Sequence, residues 1–368
     1  MSNINQDRLV KHFIDLVKID SESRNEKEIS ETLAEQLGHM GFEVKKQPVP
    51  AEISNGFNIY AKMVGELEGI ILLSSHMDTV TPGNGIEPVI ENGVISTKGD
   101  TVLGGDDKSG IAAIMEAVRT IKEEGKQHKT IELAFTVYEE GGLHGSKHFD
   151  MNDVESKEAI VLDSGGDIGT IITVAPGQQN LKVNITGRPA HAGLAPEEGI
   201  NALTVAADAI MNMKLSRIDE ETTANIGVVK GGQATNIVMP ELFIEAECRS
   251  TDEAKLAAQT AHMISTFEAA AEKHGAKIDI VSTRAYDAFK IDENHPLVGS
   301  VKAAFEANGV KPQTMPTGGG SDANIFSGKG ITTLNLSTGM AKVHTTDEFI
   351  TIEDLVGITE FMRTYLTR

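Results

Sequence analysis

An α/β sheet covered by helices on both faces, interrupted by a small inserted α+β domain, is the fold that this sequence predicts. Three observations carry the expectation. Short apolar runs of strand length alternate with stretches of helical periodicity through the first part of the chain. Near Gly177 the pattern shifts to a compact strand-helix-strand-strand-helix-strand order. After the insert, strand and helix patterns return to the end.

In chain order, Met1 to Asp20 places Leu9, Val10, Phe13, Ile14 and Val17 at helical spacing among polar residues. That predicts an amphipathic helix and not the unbroken apolar core of a signal peptide. Glu26 to Met40 predicts a second helix, stopped by Gly41. Gly69 to Ser75 predicts a buried strand, and Lys108 to Glu124 a helix, with Ile111, Ile114, Met115, Val118 and Ile121 on one face. Thr130 to Tyr138 and Ala159 to Leu162 are further strands. In the insert, Asn180 to Gly187 predicts a strand, Gly199 to Met213 a helix, and Thr223 to Lys230 and Glu241 to Arg249 two strands. The Ala-rich stretch Asp252 to His274 predicts a long helix, and Ala276 to Ser282 a closing strand. Pro296 to Asn308 (helix), Gly330 to Leu336 (strand) and Thr351 to Thr367 (helix) complete the chain. The expected division is 1–177 and 285–368 for the larger domain and 178–284 for the insert, which would act as a lid.

Composition narrows the function classes. The 368 residues, 40% of them apolar and 24% charged, are those of an ordinary folded protein. A net charge of -21 repels phosphate backbones, which argues against nucleic acid as a partner. No stretch approaches the ~20 apolar residues needed to cross a bilayer, so no membrane role is expected. Cys248 is the single cysteine, so no intrachain disulfide can form, and a cytoplasmic location is the expectation.

Three strand candidates run directly into charged residues. Ser74-Ser75 leads into His76-Met77-Asp78, Val137-Tyr138 into Glu139-Glu140-Gly141-Gly142, and Val161-Leu162 into Asp163-Ser164-Gly165-Gly166. Ligands bind at the carboxyl ends of strands in open α/β sheets. Charges there would be costly in a core unless paired or metal-bound. Gly104-Gly105-Asp106-Asp107-Lys108 adds carboxylates just before a helix, and Lys342-Val343-His344-Thr345 adds a second imidazole after the last strand. Two imidazoles with several carboxylates suit Zn²⁺, with Mn²⁺ or Co²⁺ as alternatives. Asp78, two positions after His76, can accept the free ring N–H of a metal-bound histidine. Gly99 to Gly105 does not read as a phosphate loop, because two aspartates follow where a lysine is needed.

With the His76, Asp106, Glu139-Glu140, Asp163 and His344 segments in this order, the sequence resembles the M20 metallopeptidases, and within them the tripeptidase (peptidase T) branch. The resemblance implies a mixed-sheet zinc-peptidase catalytic domain with a β-α-β-β-α-β lid, and two Zn²⁺ ions. Asp106 would bridge them, with Asp107 left open as the alternative. His76 and Asp163 would complete one site, Glu140 and His344 the other, Glu139 would be the general base, and Asp78 would orient His76. In the lid, Gly187 to Gly193 resembles the segment whose histidine, here His191, reaches a substrate carbonyl, often across a dimer interface. Asn236, and Arg249 after Cys248, resemble residues that the family offers to substrate, although Arg249 could instead pair with Glu245 or Glu247. Gly319 and Ser321 lie in a Thr317 to Asp322 loop similar to one whose backbone approaches the substrate. The implied activity is removal of the N-terminal residue from short peptides, tripeptides by preference, by a homodimer joined through the lid. The alternative is another amide hydrolase of this kind: a dipeptidase, carboxypeptidase or N-acyl-amino-acid deacylase.

Overall fold

The computed structural model describes residues 4–368. The chain forms two compact units. One comprises the chain up to Thr173, Ile291–Pro316 and Ser321–Arg368; the other comprises Val174–Lys290 and Thr317–Gly320. The second unit is thus slightly wider than the 178–284 insert read from the sequence, and it takes in the segment that carries Gly319.

The first unit opens with helices α1 (Gln6–Val17) and α2 (Lys27–Met40) and strands β1 (Glu43–Pro48), β2 (Phe57–Met63) and β3 (Ile70–His76). It continues with β4 (Pro88–Glu91), β5 (Val94–Thr97), α3 (Gly105–Glu124), β6 (Thr130–Thr136), the short α4 (His144–Lys147), β7 (Glu158–Ser164) and β8 (Thr170–Ala175). The second unit holds β9 (Gly177–Thr186), α5 (Ala202–Asn212), β10 (Ser216–Arg217), β11 (Thr222–Gly231), β12 (Glu241–Ser250), α6 (Glu253–His274), β13 (Lys277–Tyr286) and β14 (Phe289–Lys290). The chain returns to the first unit with α7 (Pro296–Ala307), β15 (Gln313–Pro316), α8 (Asp322–Gly328), β16 (Thr332–Ser337), β17 (Phe349–Thr351) and α9 (Ile352–Leu366).

The main sheet of the first unit runs β1-β2-β6-β3-β7-β16-β8, with β15 beside β8. Its centre, β6-β3-β7-β16, is parallel, and β1, β2 and β8 are antiparallel additions. Parallel strands are buried on both faces, which is why their sequences read as unbroken apolar runs. Leu73, Leu133 and Ile160 point into the core shared with Phe13, Leu37, Ile114 and Phe361. Leu72, Ala134 and Val161, of opposite parity, are equally buried. A separate small sheet runs β17-β5-β4.

The second unit is a five-stranded antiparallel sheet, β10-β11-β12-β9-β13. Along β9 and β12 every second residue is buried, Leu181, Val183 and Ile185 against Leu242, Ile244, Ala246 and Cys248. These side chains pack under α5 and α6 with Val205, Met263 and Phe267. Cys248 is therefore a packing residue. The sequence pattern accounts for four of the five strands, because the two-residue β10 has no periodicity to show. The short strands β4, β5, β14, β15 and β17 are missed for the same reason, β1 because it is an edge strand of mostly polar residues, and β2 and β8, though long enough to show a pattern, are not read from the sequence either. β6 also ends sooner than expected, at Thr136, because Tyr138 turns the chain with a positive φ of 46°. Among the described residues, no helix is long and apolar enough to cross a membrane.

Candidate metal centre

The parallel centre of the sheet explains why distant residues converge. β6, β3 and β7 are neighbours, and in register His76 stands opposite Thr136, and Ser74 opposite Val161. Their carboxyl ends therefore share one edge, with strands about 4.8 Å apart. His76 ends β3, Glu139 and Glu140 follow β6 by three and four residues, and Asp163 is the next-to-last residue of β7. Asp106 arrives on the loop before α3. Asp106 and Asp107 are not helical in φ and ψ, so regular helix begins at Lys108. The first turn of α3 lies so close to β3 that a Cβ on Gly110 would stand 2.4 Å from Ser75 Oγ.

Asp106 is the centre of the cluster. Its Oδ1 lies 3.0 Å from His76 Nε2 and its Oδ2 lies 3.3 Å from His344 Nε2. Each histidine has a further carboxylate beside it: Asp163 Oδ1 at 3.9 Å from His76 Nε2, and Glu140 Oε1 at 2.9 Å from His344 Nε2. Ligand atoms of His76, Asp106 and Glu140 lie within 4.8 Å of one another, and so do those of His76, Glu139 and Asp163. All six residues that the sequence nominates for metal and base thus come together in one unit.

The electrostatics is that of a carboxylate cluster short of positive charge. Burial, helped by neighbouring carboxylates, pushes Glu139 and Asp163 well above the ordinary carboxyl range and also raises Glu140. Burial opposes ionisation of Asp106 too, but its bonds to His344 and His76 hold it below the usual range. Burial likewise works against charge on His76, and the bonds to Asp106 and Asp78 outweigh it. His344 is raised to about 10 by Asp106 and Glu140. Lys108 is fully buried nearby, where desolvation lowers it to about 8, and its Nζ donates to the Thr79 hydroxyl. So many buried acids against so few cations are stable only when compensated. The mixed imidazole and carboxylate donors fit divalent ions of the zinc type.

Several groups fix this arrangement. His76 Nδ1 faces the Asp78 carbonyl oxygen at 3.1 Å and the Asp78 carboxylate at 3.4 Å, both acceptors, so this nitrogen carries a proton and Nε2 is turned inward. Asp78 does more than orient a ring. Its carboxylate also accepts from the backbone N–H of Glu139 at 2.9 Å and of Glu140 at 3.2 Å, and from the Ser23 hydroxyl. Asp107 is turned away: its Oδ2 accepts from the His76 backbone N–H at 3.3 Å, so Asp106 is the one that faces both imidazoles.

Sequence reasoning missed four buried groups. Glu348 accepts from the backbone N–H of Leu103, Gly104 and Asp106. Glu26 accepts from the N–H of Tyr138, the residue before Glu139. Asn335 grips Asp163 through both its backbone N–H and its carbonyl. Asp322 accepts from the Thr136 hydroxyl at 2.5 Å. No signal beyond a lone polar letter marked any of them.

The lid residues behave differently. His191 and Asn236 are exposed, and their loops are joined by Ala192 N–H donating to the Asn236 carbonyl and Val238 N–H to the Ala190 carbonyl. The His191 Nδ1 accepts from Gly193 N–H. Arg249 lies at the other end of β12 and makes a two-pronged pair with Glu247, 3.0 Å at each contact. Asn236 therefore keeps company with His191 and not with Arg249. Gly319 donates its N–H to the Thr317 hydroxyl. Ser321 is a buried N-cap of α8 whose hydroxyl also accepts from Asn335.

The family model described as Peptidase family M20/M25/M40 matches residues 72–368. The crystal structure of aminopeptidase PepT from Bacillus cereus ATCC 10987 is 42% identical, with a TM-score of 0.91 and 99% of each chain covered. That of a tripeptidase from Staphylococcus aureus subsp. aureus Mu50 is 37% identical, with a TM-score of 0.95 and 99% of this chain and 98% of that one covered. Protein YqjE of Bacillus subtilis (strain 168) is 42% identical over 98% of this chain and 97% of its own.

Proposed function

Since the chain belongs to peptidase family M20/M25/M40, we propose that it is an aminopeptidase of short peptides, with tripeptides preferred, working with two Zn²⁺ ions. One observation supports the two-ion reading above the rest: the two oxygens of Asp106 face two different histidines, each with its own additional carboxylate. Asp106 would be shared, His76 and Asp163 would hold one ion, and Glu140 and His344 the other. Mn²⁺ or Co²⁺ would serve the same donors. When bound, the ion pair supplies a water acidified towards neutrality and a polarised scissile carbonyl.

Glu139 would serve as the general base, accepting a proton from the attacking water and returning it to the leaving amine as the C–N bond breaks. Asp78 holds the Glu139 backbone and the His76 ring in one frame, so base and metal ligand keep their spacing. His191 donates to the carbonyl oxygen as negative charge develops there. Asn236 contacts the substrate from the same lid loops. Arg249 pairs with Glu247 through Nε and Nη2 and would offer its remaining Nη1 edge to the substrate's terminal carboxylate, with the Gly319 to Ser321 backbone lining the substrate.

The lid also supports a homodimer. His191 lies beside the loop that precedes β12 and Arg249 lies near the strand's other end, and the stretch of β12 from Glu241 to Arg249 alone spans roughly 26 Å at about 3.3 Å per residue. One lid cannot bring both to one tripeptide. We propose that a second copy supplies His191.

The test is a panel of free, N-blocked and C-amidated tripeptides, with chelation and metal restoration. Free tripeptides should be cleaved at the first bond, and chelator should abolish cleavage. Turnover of N-blocked substrates alone would replace the aminopeptidase reading with that of a deacylase or carboxypeptidase.

A further inference from the structure

We propose that Glu348 is a positioning residue that locks the loop bearing His344 to the turn bearing Asp106, and so sets the affinity of one cation site selectively. The inference rests on the two-ion reading above. Glu348 is 1% exposed. Its Oε2 accepts from Leu103 N–H at 2.8 Å and Gly104 N–H at 2.9 Å, and its Oε1 accepts from Asp106 N–H at 3.0 Å. These are backbone donors of the loop that leads into α3, ahead of its regular helix at Lys108. A carboxylate carried by a loop far along the chain fills that place.

The other end of the connection is equally well defined. Residues 342–348 form a loop closed at its base by paired backbone bonds between Ala341 and Phe349, 2.9 and 3.1 Å. Inside it the Thr345 hydroxyl donates to the Lys342 carbonyl and accepts from Asp347 N–H, and Glu348 N–H donates to the Thr345 carbonyl. Lys342 and His344 both take positive φ, 54° and 62°. The loop is thus a self-bonded turn that carries His344 as a unit. The His344 side chain is half exposed, so the surrounding core does not clamp it. Glu348, four residues on, ties this turn to the backbone of Asp106 itself. His76 reaches Asp106 from β3, independently of that tie. Loss of Glu348 should therefore loosen the His344 side of the centre and spare the His76 side.

Glu348→Gln probes this at one bond. An amide oxygen can still serve Leu103 and Gly104, but the amide nitrogen then faces Asp106 N–H, donor against donor. Stepwise Co²⁺ titration of the metal-free protein, followed by calorimetry and by the visible spectrum of bound Co²⁺, reads each site without turnover. Wild type should take two equivalents. In Glu348→Gln one step should weaken about 10- to 100-fold, as for lost outer contacts in other metal sites, while the other stays unchanged. Glu348→Asp, which keeps the charge but withdraws it by one methylene, should show a smaller loss of the same step and serves if Gln fails to fold. In a His344→Ala background, adding Glu348→Gln should change nothing further in the remaining step. Equal weakening of both steps, or none, overturns the proposal even if thermal stability falls. A wild type that binds no ion overturns the two-ion reading instead.

Discussion

The two units of this protein treat their polar residues in opposite ways. In the first, His76, Asp78, Asp106 and Glu139 are buried, and hydrogen bonds link them through Asp78 and Asp106. In the second, His191 and Asn236 stand exposed on loops, and Arg249 is occupied by Glu247 at the far end of a strand. The first unit holds a prebuilt centre whose members position each other. The second presents single groups that its own packing does not draw together. Buried charge demands partners, so a site of that kind can be read from its own geometry. Exposed groups make no such demand.

Replacing Glu139 with Gln should separate chemistry from construction most sharply. The side chain keeps its size, and Asp78 binds the backbone N–H of this residue and not its carboxyl, so the turn should survive. Metal content should stay at the wild-type level while kcat falls about 10³- to 10⁴-fold, at the upper end for loss of a general base. Measured together, elemental analysis and steady-state kinetics check both halves. Substantial residual turnover would move the base elsewhere in the cluster.

The lid residues call for a test between chains. His191→Ala should lower kcat about 10²- to 10³-fold, the usual range for losing a donor to a developing oxyanion. Arg249→Ala should act mainly through KM. If two chains build each site, co-expressing the two variants restores function: half of the dimers are mixed and one of their two sites is intact, giving about a quarter of wild-type activity. If one chain builds it alone, the mixed preparation stays as poor as its components, and the contrast between the two units loses its explanation.

How far the sequence reveals each part follows from the same contrast. His76, Glu139, Glu140 and Asp163 could be found because each follows an apolar run, and a charge at the end of a buried strand is an anomaly that demands a reason. The central strands and long helices were legible through periodicity, down to the start of regular helix at Lys108. Strands such as β10 and β17 are too short to show a period, and β1 is an edge whose pattern is mostly polar. Glu26, Asn335 and Glu348 escaped for another reason. Each sits where a solvated residue would be unremarkable in sequence, and only tertiary packing buries it. Glu26 reads as the first residue of a helix, yet it is fully buried.

Glu26 provides the smallest effect, and the one that asks how tightly the prebuilt centre is balanced. Its Oε1 accepts from Arg24 and Tyr138 N–H, and its Oε2 accepts from the Ser54 hydroxyl. Burial, with repulsion from Asp78, raises its carboxyl from 4.5 to about 7. The folded state therefore binds the proton more tightly than the unfolded chain. Between pH 4.5 and 7 the folded protein holds more protons, so its stability falls as pH rises through that window and levels off above it. The full difference corresponds to about 3 kcal/mol. Glutamine keeps the oxygen that serves Arg24 and Tyr138, presents an amide donor to Ser54, and does not titrate. Metal-free Glu26→Gln should match wild type in urea unfolding near pH 5 and exceed it by up to about 3 kcal/mol near pH 8. Parallel curves at both pH values would mean that Glu26 ionises inside the fold at little cost, leaving the Tyr138 turn anchored by an ordinary carboxylate.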